Sequence, residues 1–239
     1  MIICLCATRN MYPQLQAMIV MLVKTQPKLK KIYAFIEDDL EQIEENKVTF
    51  INVSKYAPVV DNPANNGKWW SYMSMIRCYF TDLLPNEDKV IYLDLDVIIE
   101  KDISELWDID MTNHEIAGVI DSHVGDFNYA YIKHPEKYIN SGSIVMNLKL
   151  MRENGTDKKI DDLLHTWELK MADQDALNLM CSILYLDCKW NSSDATTLSH
   201  EPVINHVIRT KPWDPNSKWF PQWAMNYLKT GAKQSINQF

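Results

Sequence analysis

Apolar positions along the chain fall into short unbroken runs that alternate with longer periodic stretches. Ile2, Ile3, Cys4, Leu5 and Cys6 form one run, and Thr8, Arg9 and Asn10 then turn the chain polar, which predicts a strand ending in a loop. Behind Pro13, the residues Leu15, Met18, Ile19, Leu22 and Val23 recur at helical spacing. They predict an amphipathic helix with proline in its first turn, where a missing N–H costs nothing. Runs at 32–36 and 48–53 predict two more strands around an acidic, helix-compatible segment at 37–45. This alternation predicts βαβ units and a mostly parallel sheet.

The run at 90–99 is interrupted only by Asp94 and Asp96 and is rich in β-branched residues, so it reads as a strand buried on both faces. Two carboxylates there are costly unless something neutralises them. Residues two apart on an extended strand face the same way, so Asp94 and Asp96 can converge on one point. Hard carboxylate oxygens suit a divalent cation such as Mg²⁺ or Mn²⁺, which keeps positions open for phosphate oxygens. The competing reading is a turn with two solvated aspartates.

Residues 54–68 hold too many breakers for a regular element and read as a loop beside the site. Trp69, Met73, Ile76 and Phe80 then share one helical stripe, in which Trp69 and Trp70 read as packing rather than as sugar platforms. Asp102 is a candidate N-cap before a helix at 103–107, and a strand at 116–120 ends in Asp121. Residues 122–137 lack periodicity and suit a mobile binding flap. Asn140, Ser141 and Gly142 precede a predicted strand at 143–147. Ile160, Leu163, Leu164 and Trp167 mark one helix; Ala176, Leu177 and Met180 mark another, behind Asp173, Gln174 and Asp175. A short strand is predicted at 183–186, and beyond Trp190 the chain reads as aperiodic, with an aromatic tail of Trp219, Phe220, Trp223 and Tyr227.

Composition narrows the classes. At 239 residues and 46% hydrophobic content, one α/β domain over 1–239 is expected. A net charge of -8 argues against nucleic acid or an anionic membrane as partner, so any phosphate comes on a small molecule. Five cysteines without C-x-x-C spacing point to reduced thiols in a cytoplasmic setting rather than to disulfides or a zinc knuckle. The apolar run at 17–23 is too short to span a bilayer and no basic leader precedes it. A soluble or peripheral protein with no transmembrane segment is expected.

The order of these motifs carries a resemblance. Thr8 and Tyr12 in the first loop, Arg77 seventeen residues before Asp94, then Tyr92-Leu93-Asp94-Leu95-Asp96, Asn140-Ser141-Gly142, Asp173-Gln174-Asp175, and finally His206 followed by Lys211-Pro212-Trp213 stand in one sequence. The chain resembles glycosyltransferase family 8, the retaining nucleotide-sugar transferases that include glycogenin, bacterial lipopolysaccharide galactosyltransferases and galactinol synthase. The resemblance implies an α/β GT-A fold, a Rossmann-like and mostly parallel sheet flanked by helices. A mainly nucleotide-binding half would span 1–100, and 101–239 would hold mainly the acceptor-binding half, a smaller acceptor-side portion, together with the closing C-terminal segment. It implies Mn²⁺, with Mg²⁺ as the alternative, held by Asp94, Asp96 and His206, and Lys211 beside the diphosphate. Ala7, Thr8, Tyr12, Asp94 and Leu95 would contact a nucleotide. Arg77, Asp121, Asn140 and Gly142 would surround the donor sugar, with Asp173 and Gln174 at the acceptor edge and anomeric centre. The partners implied are a UDP-hexose donor, with glucose or galactose as the sugar, and a carbohydrate or glycoconjugate acceptor.

Two departures stand out. The closing segment from His206 to Lys211 is one residue shorter than the family's, and Arg209 occupies its usual glycine; Arg9 and Asn10 replace asparagine and aspartate in the first loop. The implied reaction is retaining hexosyl transfer, with same-face attack favoured because Gln174 is a poor nucleophile. Two other readings stay open here: a nucleotide-sugar-binding protein without catalysis, and a haloacid-dehalogenase-type phosphatase, which lacks here the hydroxyl residue soon after its aspartates.

Overall fold

The computed structural model describes residues 1–37, 47–56, 62, 64–65, 71–122, 131–193 and 201–229. Its centre is a seven-stranded sheet built from β1 (Ile2–Ala7), β2 (Lys31–Ile36), β3 (Val48–Asn52), β4 (Lys89–Leu93), β6 (Ile116–Ile120), β7 (Ile139–Asn147) and β8 (Ile183–Tyr185), in the order β3-β2-β1-β4-β7-β6-β8. β1 lies parallel to both β2 and β4, and only β7 runs against its neighbours. β5 (Val97–Ile99) and β9 (Ile204–His206) form a separate antiparallel pair.

Alternation along the central strands explains why the sheet has two apolar faces. Ile2, Cys4 and Cys6 of β1 pack with Val90 and Tyr92 of β4 into one core, completed by α2 (Phe80–Leu83), α4 (Leu148–Asn154), α5 (Thr156–Thr166) and α6 (Ala172–Met180). Ile3, Leu5 and Ala7 pack with Ile91 and Leu93 into the other, against α1 (Tyr12–Thr25) and α3 (Ser104–Asp108). Pro13 sits in the first turn of α1, as its position predicts. Asp102 accepts from the Ser104 N–H at 2.9 Å and so serves the start of α3.

Several elements depart from the sequence reading. The run at 90–99 is not one strand: β4 stops at Leu93, the chain turns through Leu95 and Asp96, and β5 starts at Val97. Residues Tyr72–Tyr79 form a 3₁₀ helix rather than an α-helix; of the stripe's steps only Met73 to Ile76 fits both periods, and Phe80 already opens α2. Asn140, Ser141 and Gly142 lie inside β7 instead of before it. The C-terminal region contains β9 and α7 (Phe220–Leu228), whose Trp223 and Tyr227 pack on Ala17 of α1. The acidic segment expected to be helical falls, apart from Glu37, outside the described residues, as do Trp69, Trp70, most of the loop at 54–68 and 123–130 of the flap. Among the described residues no helix is long and apolar enough to cross a membrane. All five cysteines are unpaired.

Glu115, buried at the start of β6, ties the sheet to the helices behind it. Its carboxylate accepts from the Ser182 N–H at 2.8 Å and Asn154 Nδ2 at 3.1 Å, and from Thr156 Oγ1. Burial pushes this carboxyl's pKa up, but these donors outweigh it and the net shift is downward. A lowered folded-state pKa contributes stability above the unfolded value of about 4.3, lost as pH falls through the folded one. Glu115→Gln is therefore expected to cost about 1.5–3 kcal/mol at neutral pH. The difference from wild type should narrow below about pH 4.3 in urea denaturation run across pH.

Candidate active site

The site forms where β4 ends. The Asp94 N–H donates to the Gly142 carbonyl at 2.8 Å, which holds the turn against β7. β5 then pairs with β9 in a register that sets Val97 opposite His206, and the Val207 N–H donates to the Asp96 carbonyl at 3.0 Å. Backbone pairing thus carries an imidazole from the far end of the chain beside the aspartates. His206 Nε2 lies 3.2 Å from Asp96 Oδ1 and 3.8 Å from Asp94 Oδ2. One ligand atom from each of the three residues lies within 4.8 Å of the others. The carboxylates converge because the chain turns, not because it stays extended.

Two carboxylates and one imidazole are a donor set that suits Mn²⁺ and leaves positions for phosphate oxygens. Gly142 supports the same reading: a Cβ there would stand 2.2 Å from His206 Cε1 and 2.7 Å from Asp94 Oδ2. Its backbone lies outside the left-handed region, so the glycine is required for close approach rather than for conformation. Gly142→Ala is expected to weaken Mn²⁺ binding by about 10–100-fold in calorimetry, with the protein still folded by circular dichroism.

The charges are closely balanced. Burial disfavours a charged His206, yet Asp96 and Asp94 outweigh it and the imidazole's pKa is raised. Burial likewise pushes Asp96 up, but His206 and Lys211 together hold it well below the carboxylate range. Lys211 Nζ sits 2.5 Å from Asp96 Oδ2. The shortened closing segment therefore still delivers its lysine, while Arg209 in that segment is exposed.

Behind the triad lies a buried hub. Arg77, 4% exposed, donates from Nη2 to Asp94 Oδ1 at 3.0 Å and from Nη1 to the Ser141 carbonyl at 2.7 Å, and its Nε is 3.2 Å from Asp173 Oδ2. Its guanidinium stacks 4.0 Å from the Tyr92 ring centroid, and the Tyr92 hydroxyl donates to Asp94 Oδ1 at 2.5 Å. Burial raises the pKa of Asp173, as does Asp94, against Arg77 and Ser141. Gln174 accepts from the Ser141 N–H at 2.9 Å and donates to Asp121 Oδ2 at 3.1 Å. Asn140 Nδ2 also reaches Asp121 Oδ2, at 3.3 Å, and Asn140 Oδ1 lies 3.1 Å from His206 Nδ1. Asp121, Asn140, Asp173 and Gln174 thus join one network running to His206 and Arg77.

A cleft of about 510 Å³ opens over Asp94 and Asp96; His206 is buried and is not part of its lining. Ala7, Thr8, Arg77, Asp94, Leu95, Asp96 and Lys211 line it, whereas Asp173 and Gln174 are buried outside the lining. Tyr12 is not in the lining; it heads α1 and packs half-buried against the core, while Asn10 and Met11 reach the cleft. Tyr92 and Ser141 are hub residues to which the sequence reading gave no role. Tyr92 was legible: it stands two before Asp94, on the same face of the strand. Ser141 carried no such signal.

Residues 2–216 match the family model described as Glycosyl transferase family 8. The chain belongs to glycosyltransferase family 8. Among its relatives, general stress protein A of Bacillus subtilis is 26% identical, with 98% of this chain and 96% of that protein aligned. The lipopolysaccharide 1,3-galactosyltransferase of Salmonella typhimurium is 28% identical over 190 residues, 66% of this chain and 56% of that enzyme. A Haemophilus influenzae relative, 28% identical, is likewise spanned over 56% of its length. The galactosyltransferase LgtC, crystallised with donor and acceptor sugar analogs, superposes with a TM-score of 0.79 at 18% identity, covering 98% of both chains. That likeness concerns the fold, and the mostly parallel α/β sheet is the GT-A architecture expected for family 8.

Proposed function

We propose that this chain is a metal-dependent retaining glycosyltransferase that moves a hexose from a UDP-sugar to a hydroxyl of a carbohydrate or glycoconjugate acceptor. The observation that carries the reading is the Asp94, Asp96 and His206 cluster, whose two aspartates line a cleft that Lys211 also lines. Asp94, Asp96 and His206 would hold Mn²⁺, with Mg²⁺ as the alternative, and the bound ion would supply Lewis-acid stabilisation of the diphosphate. Lys211 adds a mobile positive charge where negative charge builds on the leaving nucleotide. Ala7, Thr8 and Leu95 line the wall available to the nucleotide, with Tyr12 one turn behind.

Same-face attack is supported by what the buried groups already do. Asp173 is engaged by Arg77 and Ser141, and both ends of Gln174 are hydrogen-bonded. Both side chains are buried, so each would orient the donor-sugar side through Arg77, Asp121 and Asn140 instead of attacking the anomeric carbon. The phosphatase reading is disfavoured, because Val97 and Ile98 directly after the aspartates are buried strand residues without hydroxyls. A screen of nucleotide sugars with Mn²⁺, reading which sugar is released and in which anomeric configuration, tests the assignment. Release of one hexose from a UDP donor with retained configuration is expected. UDP binding without hydrolysis or transfer from any donor would refute catalysis.

A further inference from the structure

The geometry points to a second carbohydrate pocket, separate from the metal cleft, that takes an anionic sugar unit of the acceptor; the inference rests on the glycosyl-transfer reading above. A cavity of about 400 Å³ lies where the carboxyl end of α6, the edge strand β8 and the segment 131–138 meet, a volume in the range of small-ligand sites. None of its lining residues belongs to the cleft over Asp94 and Asp96.

The walls are aromatic and held in place. The hydroxyls of Tyr131 and Tyr138 both donate to Asp175, a fully buried carboxylate that also accepts from the Lys170 and Met171 N–H groups at 3.0 and 2.9 Å. Pinning both hydroxyls on one carboxylate fixes the two rings before any ligand arrives. Tyr185 of β8 completes the wall at the exposed edge of the sheet.

The rim is basic, on a chain whose net charge is -8. Lys133 and Lys137 line the cavity. Among the described residues neither ammonium has a carboxylate within ion-pair distance, whereas Glu136, between them in sequence, is engaged by His134 Nδ1 at 3.2 Å. Ring surfaces that pack on the C–H face of a sugar, beside two mobile ammonium groups, match a saccharide carrying a carboxylate or a phosphate. A neutral sugar would leave the lysines unused, and a bare anion would leave the rings unused.

The pocket is tied to the acceptor edge of the site. Asn178, in its lining, stands one turn of α6, about 6 Å, beyond Gln174. Its amide donates to the Gln174 carbonyl at 2.9 Å and to the Ile139 carbonyl at 2.9 Å. The Asp121 N–H donates to the Tyr138 carbonyl at 2.8 Å. Backbone thus runs directly from the pocket to Asp121, Asn140 and Gln174, so an acceptor of two or more sugar units would reach both places.

The test uses the full chain with Mn²⁺ and UDP present and four probes in calorimetry: digalacturonate, glucose 6-phosphate, lactose and inorganic phosphate. The first two separate a carboxylate from a phosphate as the source of charge, and at least one is expected to bind about 10-fold more tightly than lactose or phosphate. The double variant Lys133→Ala/Lys137→Ala is expected to weaken that binding about 10–100-fold, and Tyr185→Ala about 3–10-fold, with hydrolysis of the sugar donor unchanged in both. Wild-type affinity in the folded double variant overturns the pocket, as does failure of both charged sugars to bind. Phosphate binding as tight as that of the charged sugars overturns its saccharide character. Absence of donor hydrolysis by wild type would instead refute the transferase reading, while the probes still decide the pocket.

Discussion

Asp96→Ala is expected to lower Mn²⁺-dependent hydrolysis of the sugar donor by roughly 10²–10³-fold, the scale on which one preorganised electrostatic contact to a transition state is lost. Asp96 is the carboxylate on which the site converges: His206 Nε2 stands 3.2 Å from one of its oxygens and Lys211 Nζ 2.5 Å from the other. Removing it takes away one of the three proposed metal ligands and frees the lysine from its anchor. A second readout separates this from general damage. In the metal-free wild type, Asp96 and Asp94 outweigh burial and raise the pKa of His206. Without Asp96, burial should dominate and carry that imidazole below its ordinary value of about 6.5, which a histidine titration by NMR measures. Asp96→Asn keeps the shape without the charge and should lose metal binding equally. Undiminished donor hydrolysis in either variant would refute the site assignment.

Arg77→Met should have the largest effect on stability, about 3–5 kcal/mol, because it leaves the buried Asp173 and the partly buried Asp94 without their counter-charge. The guanidinium meets Asp94, Asp173, Ser141 and the Ser74 carbonyl within 3.2 Å and lies over the Tyr92 ring. Methionine fills much of the volume and satisfies none of these groups. The deficit should shrink as pH falls. Asp173 already binds its proton more tightly than an ordinary carboxylate, through burial first and Asp94 next, against Arg77 and Ser141. Protonation then removes the uncompensated charge at little cost. Arg77→Lys should recover only part of the loss, since an ammonium cannot serve these directions at once or stack on a ring. Denaturant unfolding of the three proteins at neutral and mildly acid pH tests both expectations. An Arg77→Met variant as stable as wild type would show that the hub carries little energy.

Much of the sheet was legible because alternation does not depend on distant partners. Ile3 and Leu5 face one core, Cys4 and Cys6 the other, and the run itself identifies a strand covered on both sides. The start of β7 was hidden for the opposite reason. Asn140, Ser141 and Gly142 look like loop residues, yet their polar groups are satisfied by Asp121, Arg77, Gln174 and Asp94 inside the fold. α7 was legible as well, since Phe220, Trp223 and Tyr227 keep helical spacing, with Pro221 in the first turn. His206 was reachable only through the ordered motifs of the resemblance.

The pairing of β5 with β9 also bears on how the protein is made. During synthesis the amino-terminal part of a chain is free to fold first. All seven strands of the main sheet lie before residue 186, whereas His206, Lys211 and the helix that packs on α1 emerge later. Lys211 meets a partner 115 positions upstream, and such distant contacts close slowly because the intervening chain must first be ordered. A ribosome-bound intermediate is therefore expected to hold a sheet carrying two uncommitted aspartates and no imidazole. Competence to grip a metal would come only once β9 pairs with β5, after the strands of the main sheet have emerged.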